Sequence, residues 1–153
     1  MATTTATLRI SSSDLTTSPL SINASSTLMK AGLTTGLTQL RTGYESVPVG
    51  SPTEFRISPN PDNSSNPEVG TANTTHDIAS WLYICNKATD DTLYIEWGIH
   101  ETVIGRLYAG DWMFIPWNCS DNAAEVEIQA IGGAQTIEYA WFASDFQLPT
   151  AAS

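Results

Sequence analysis

The chain has 153 residues, 41% hydrophobic and only 14% charged, with a formal net charge of −10, which is enough length for one domain with its own core and gives no reason to divide it. The charged share falls well below the usual quarter or so, and Ser and Thr supply the polarity instead. No stretch approaches the roughly 20 apolar residues of a membrane span, and the start, MATTTATLRI, lacks the basic region and apolar run of a signal peptide, so the expectation is a protein made and used without secretion.

Residues 1–40 are dominated by Ser, Thr, Ala, Gly and Leu, with scattered apolar anchors such as Leu8, Ile10, Leu15, Leu20, Ile22, Leu28, Leu33 and Leu37. That is little apolar area to offset the entropy of ordering a backbone, so alone the segment should be mobile. Next comes SPNPDNSSNPEVGTANTTHD at 58–77, whose prolines, asparagines and serines read as an irregular loop. The expected layout is an N-terminal extended arm and first strands over 1–57, this Asn/Pro-rich loop, and the main part of a β-sandwich over 78–153. Charge divides the same way: residues 1–60 hold four bases and three acids, a net +1, whereas residues 61–153 hold two bases and thirteen acids, a net −11. All five tryptophans fall in the acidic part.

Strand patterns recur there at roughly ten-residue spacing. TLYIEWGI sets Leu93, Ile95, Trp97 and Ile99 against Tyr94, Glu96 and Gly98; EVEIQAI sets Val126, Ile128 and Ala130 against Glu125, Glu127 and Gln129; TIEYAWF sets Ile137, Tyr139 and Trp141 against Glu138 and Ala140. Gly132-Gly133 reads as a tight hairpin turn between the last two. With no convincing helical stripe, the fold class is all-β: an antiparallel β-sandwich or jelly roll with an extended Ser/Thr-rich N-terminal arm.

The string LYAGDWMFIPW at 107–117 packs four aromatic rings into eleven positions. Its pattern predicts a strand ending at Tyr108, a turn at Ala109-Gly110-Asp111, and a new strand from Trp112 that Pro116 stops because proline cannot donate to a sheet ladder. Phe114 is expected to face one way, with Trp112 and the following residues covering the other. Trp97, Trp112, Phe114, Tyr139 and Trp141 are the expected structural core. Alternatively one or two of the rings, Trp117 first, stay exposed as partner anchors, since Trp and Tyr favour interfaces.

Motifs for chemistry are incomplete. Gly110 and Pro116 resemble the start of the second cupin motif, but Asn118 stands where that motif has Gly and Asp121 where it has a metal-binding His. His76 and His100 accompany no nucleophile signature, and three converging metal ligands cannot be assembled. Asp90-Asp91 and Glu125/Glu127 read as solvated charge before acid–base pairs, and Asp90-Asp91 with Asp121 has no spaced calcium loop behind it. Cys85 and Cys119 read as unpaired structural thiols. The sequons beginning at Asn23, Asn63, Asn73 and Asn118 read as composition. Thirteen acids against two bases disfavour nucleic acid. Hence no enzyme, catalytic residue, metal or cofactor is expected, and neither a nucleic-acid nor a membrane partner.

Two stretches, SSSDLTTSPLSINASSTLMKAGLTTGLTQ at 11–39 and the run from WLYICN through GRLYAGDWMFIPW to TIEYAWF at 81–142, resemble small β-sandwich structural proteins of tailed bacteriophages, especially cyanophages. The resemblance implies a virion component on the capsid exterior, made in the host bacterial cytoplasm: a cement or decoration protein, homotrimeric, bridging major capsid protein subunits. Leu8, Arg9, Ile10, Leu15, Lys30, Arg41 and Trp117 are the residues expected at the partner interface. The rival reading is a carbohydrate-binding or structural sandwich of a tail, fibre or baseplate.

Overall fold

The computed structural model describes residues 4–13, 20–28, 39–55, 68–69, 79–99, 101–118 and 126–143. Among the described residues there is no helix, and the strands in chain order are β1 (Thr5–Ser12), β2 (Leu20–Thr27), β3 (Gln39–Val47), β4 (Thr53–Phe55), β5 (Glu68–Val69), β6 (Ala79–Asn86), β7 (Tyr94–Ile99), β8 (Thr102–Tyr108), β9 (Trp112–Asn118), β10 (Val126–Ile131) and β11 (Gln135–Ala143). One sheet runs β3-β11-β6-β9, a second β5-β4-β10-β7-β8, and β1 and β2 make a separate hairpin. Among the described residues every strand pairing is antiparallel except the short parallel contact of β5 on β4, and an isolated parallel bridge joins Val49 to Ala130. Leaving β5 aside, the chain passes from the first sheet (β3) to the second (β4), back (β6), across for two strands (β7, β8), back (β9), across (β10) and back (β11). That is a jelly roll, two four-stranded sheets face to face.

Period-two alternation decides which side chains lie between the sheets. Leu82 and Ile84 of β6, Met113 of β9 and Ile137 and Tyr139 of β11 meet Ile95 of β7, Leu107 of β8 and Val126, Ile128 and Ala130 of β10 in one buried cluster. Two large rings fit because a glycine faces each across the ladder. Trp97 lies over Gly105, where an added Cβ would fall 2.7 Å from Nε1, and Tyr139 lies over Gly43, where it would fall 2.8 Å from the hydroxyl oxygen. Trp97 is partly buried against the core and Tyr139 fully so, as expected of both. A bulge between Trp97 and Gly98 interrupts the simple alternation of β7, and Gly98 itself is buried.

The interior is not wholly apolar. Asn86, at the end of β6, and Gln135, at the start of β11, are 0% and 4% exposed. Asn86 Nδ2 donates to Gln135 Oε1 at 2.8 Å and to the Leu107 carbonyl at 3.0 Å, while its Oδ1 accepts from Ala88 N at 3.0 Å. Gln135 Nε2 donates to the Tyr94 carbonyl at 2.8 Å. Two amides of the first sheet thus bind main-chain carbonyls of β7 and β8 in the second. Asn86 also holds the β8–β9 corner through its backbone, donating to the Asp111 carbonyl and accepting from Gly110 N, both at 2.9 Å.

That corner has the expected limits, with β8 ending at Tyr108 and β9 beginning at Trp112. β8 and β9 lie in different sheets, so Ala109–Asp111 is an arch between layers, with Gly110 at φ +82°, a conformation that suits glycine. Gly132-Gly133 likewise arches from β10 in one sheet to β11 in the other and is no hairpin turn. Nor does Pro116 stop its strand: β9 continues to Asn118 with Pro116 opposite Trp81. An edge strand pairs on one side only, so a proline with its missing N–H on the free side is tolerated. Within 1–57 lie the β1–β2 hairpin, β3 and β4, and the Asn/Pro-rich segment 58–77 contains β5.

The amide pair makes Asn86 a sensitive position. In Asn86→Asp a carboxylate has no hydrogen for either acceptor, and burial raises its pKa above the unfolded value of about 3.9. Stability should therefore be greatest below that value, where folded and unfolded states are both protonated, and should fall as pH rises through the folded pKa. Urea denaturation should show a loss of about 3 kcal/mol at neutral pH that shrinks toward pH ~4; an equal loss at both pH values would contradict the hydrogen-bonding role.

Candidate interaction surface

The outward face of the β3-β11-β6-β9 sheet carries an aromatic platform. Leu82, Ile84 and Met113 point inward, so their neighbours Trp81, Tyr83, Trp112 and Phe114 point outward, joined by Phe142 of β11. Trp81 stacks on Phe114 with centroids 4.9 Å apart and planes at 21°, Phe142 meets Phe114 edge-on at 6.1 Å, and Tyr83 lies 6.4 Å from Trp112. Trp112 and Phe114 therefore share one face, against expectation, and that face is not the core. Trp112 is 54% exposed and Phe114 half-buried; the inward places on β9 belong to Met113 and Ile115. The Tyr83 hydroxyl is pushed up to about 12, first by desolvation and then by its hydrogen bond with Cys85 and the charges of Cys85, Glu138 and Tyr44. It stays a neutral phenol at any physiological pH.

Over this platform stands the β1–β2 hairpin. Its register pairs Ala6 with Ser26, Leu8 with Ala24 and Ile10 with Ile22, which places these side chains on one face and Thr5, Thr7, Arg9, Ser21, Asn23 and Ser25 on the other. The first face is small and apolar, the second polar. At the base Leu28 donates its N–H to the Thr4 carbonyl at 2.8 Å and is 1% exposed. Toward the tip the apolar face opens, with Leu8 at 40%, Ile22 at 41% and Ile10 at 42% exposure.

Of the residues expected at an interface, the structure brings Leu8 and Ile10 together on the apolar side of the hairpin and puts Arg9 on its polar side, exposed. Leu15 and Lys30 lie outside the described residues, as do the side chains of Arg41 on β3, Trp117 on β9 and Trp141 on β11. Sequence reasoning missed Ile22 as a member of the surface and Leu28 as the buried residue at its base. The signal for Ile22 was the alternation of TATLRISS against LSINASST, legible only once the two segments are paired.

The opposite outward face, on β7 and β8, is charged and ion-paired. Arg106 bonds Glu96 at 3.0 Å and lies 4.6 Å over the Tyr94 ring, which itself packs 5.3 Å from Tyr108. Asp90 accepts from the Thr92 hydroxyl at 2.6 Å and the Thr92 N–H at 2.9 Å, which hold its carboxyl below the usual range. Glu127 accepts from Glu101 N at 3.0 Å; Glu125, Asp121, His76, His100 and Cys119 lie outside the described residues. Among the described residues no group of three His, Cys, Asp or Glu converges as metal ligands, and Cys85 is a buried free thiol. No helix among the described residues is long and apolar enough to cross a membrane. In comparisons with family models, curated proteins and solved structures, nothing matches this chain.

The faces of β9 predict an ordering opposite to one based on ring size. Met113→Ala should cost about 2–5 kcal/mol as a core truncation, whereas Trp112→Ala should stay within about 1 kcal/mol. Chemical denaturation of both variants checks the assignment, and a larger loss for Trp112→Ala would reverse it.

Proposed function

We propose that this chain is a non-enzymatic virion protein that cements or decorates the capsid exterior of a tailed bacteriophage, acting as a homotrimer that bridges major capsid protein subunits. The observation that carries the reading is the hairpin: a Ser/Thr-rich arm whose Leu8, Ile10 and Ile22 side chains are each about two-fifths exposed, held outside a jelly roll with its own closed core. Such an arm offers an apolar contact that the body does not need for folding. The charge division adds to it, since residues 61–153 carry the net −11 and keep a coated surface soluble and unattractive to DNA. Trimers match local threefold positions of a shell, and several arms engaging together add avidity to modest single contacts.

A tail, fibre or baseplate module that binds carbohydrate is the second reading. It draws on Trp112 and Tyr108, 54% and 44% exposed on either side of the Gly110-Asp111 corner, because exposed aromatic rings beside carboxylates suit sugar faces. A glycan screen with purified protein, repeated with Trp112→Ala, distinguishes it.

The cement reading predicts that Ile10→Asp combined with Ile22→Asp leaves the body's thermal unfolding in place and removes the protein from particles. Particles lacking the protein should assemble yet release their genome at lower temperature than coated ones. Equal release temperatures, with the protein recovered only in the tail fraction, would defeat this reading.

A further inference from the structure

Between the hairpin and the aromatic platform lies a cleft of about 510 Å³. Trp81, Tyr83, Trp112, Phe114 and Phe142 form its floor, and the hairpin forms its roof. The gap has a cause in the register: over the rings the hairpin presents Ala6, Ala24 and Ser26 beside Leu8, and the three short side chains leave space between roof and floor. Close packing is the norm for protein interiors, where voids larger than a water are few. An apolar space of this size is in the range of clefts that hold small molecules, about 300–1,000 Å³, lined mostly by aromatic and aliphatic groups with a few polar ones.

We propose that this cleft is a binding site for an uncharged, flat, largely apolar small molecule of aromatic or fused-ring type. Among the described residues the lining carries no charge: no Asp, Glu, Lys, Arg or His borders the cleft. A charged ligand group would be desolvated there without a counter-charge. Flatness follows from the walls, because a sheet face and a two-stranded ribbon bound a slot, and the stacked Trp81–Phe114 pair offers a π-surface for offset stacking. Polar groups are few and uncharged. The Tyr83 phenol stays protonated, Ser26 stands on the inward face of the hairpin, and Trp81 and Trp112 carry indole N–H donors. The site lies beyond the capsid reading and does not depend on it.

The probe is neutral N-phenylnaphthylamine, whose emission rises in apolar surroundings, titrated into the full chain alongside the anionic anilinonaphthalene sulfonate. Saturable binding of the neutral dye is expected, with the sulfonate weaker by about tenfold or more. Ala24→Trp, which fills the slot from the roof, should abolish it while circular dichroism remains that of the parent. Should that variant fail to fold, energy transfer from tryptophan to bound dye in the parent chain supplies the second readout, and Trp81→Phe and Trp112→Phe should each reduce it. Absence of saturable binding, equal binding of the sulfonate, undiminished binding by a folded Ala24→Trp, or transfer unchanged in both tryptophan variants would overturn the proposal. Dye loss on raising the protein concentration, in step with self-association, would overturn it too, by showing that a second copy of the chain fills the cleft. None of these results bears on genome release, so this proposal and the capsid reading fail separately.

Discussion

The Asn86–Gln135 amide pair is the constraint on which one end of this jelly roll depends. Hydrophobic burial holds two sheets face to face but is non-directional and says little about how they are set along each other. Hydrogen bonds from Asn86 and Gln135 to the carbonyls of Leu107 and Tyr94 specify that setting, because each buried amide has few positions in which it is satisfied. The same Asn86 backbone receives the β8–β9 arch, and Gln135 begins β11 directly after the β10–β11 arch. Two of the places where the chain changes sheets are thus tied to one polar contact.

Fixing that end determines what β9 shows to solvent. Once Gly110 has turned the chain and Asn86 has anchored it, Met113 enters the core, and alternation sends Trp112 and Phe114 outward. The aromatic platform is therefore a consequence of register. The outward rings stay partly covered because they pack on one another and lie beneath the hairpin, whose apolar face matches them at its base and exceeds them at its tip.

Much of the sandwich was legible from residues, because β7, β10 and β11 each keep one face apolar over several alternations, and the inward sets around Ile95, Val126, Ile128, Ile137 and Tyr139 were read from them. Sheet membership was not legible. Gly110 and Gly132-Gly133 supply the same backbone freedom to an arch as to a hairpin, and nothing local says whether the next strand returns alongside or crosses to the other layer. Pro116 misled for a related reason: its effect depends on whether the strand is an edge, a tertiary fact. Trp112 was expected in the core as part of a dense aromatic block, yet aromatic density does not choose a face; the phase of the alternation does, and Met113 holds the inward phase. Asn86 and Gln135 gave no signal as core residues, since a polar side chain at a strand end ordinarily reads as a cap or turn.

The arm's energetics bear on how the proposed cement could hold. Fully burying Leu8, Ile10 and Ile22 against a shell would yield at most about 1.5–3 kcal/mol each, and these side chains are already more than half covered. Association costs an estimated 4–15 kcal/mol in lost rigid-body freedom. One hairpin alone would therefore bind weakly or not at all. Linking several on one assembly converts each later contact into an intramolecular event, with the association cost met once. On the proposed reading an apolar arm this short gains from being present in several copies, and a trimer over a junction of shell subunits would give every arm an equivalent surface.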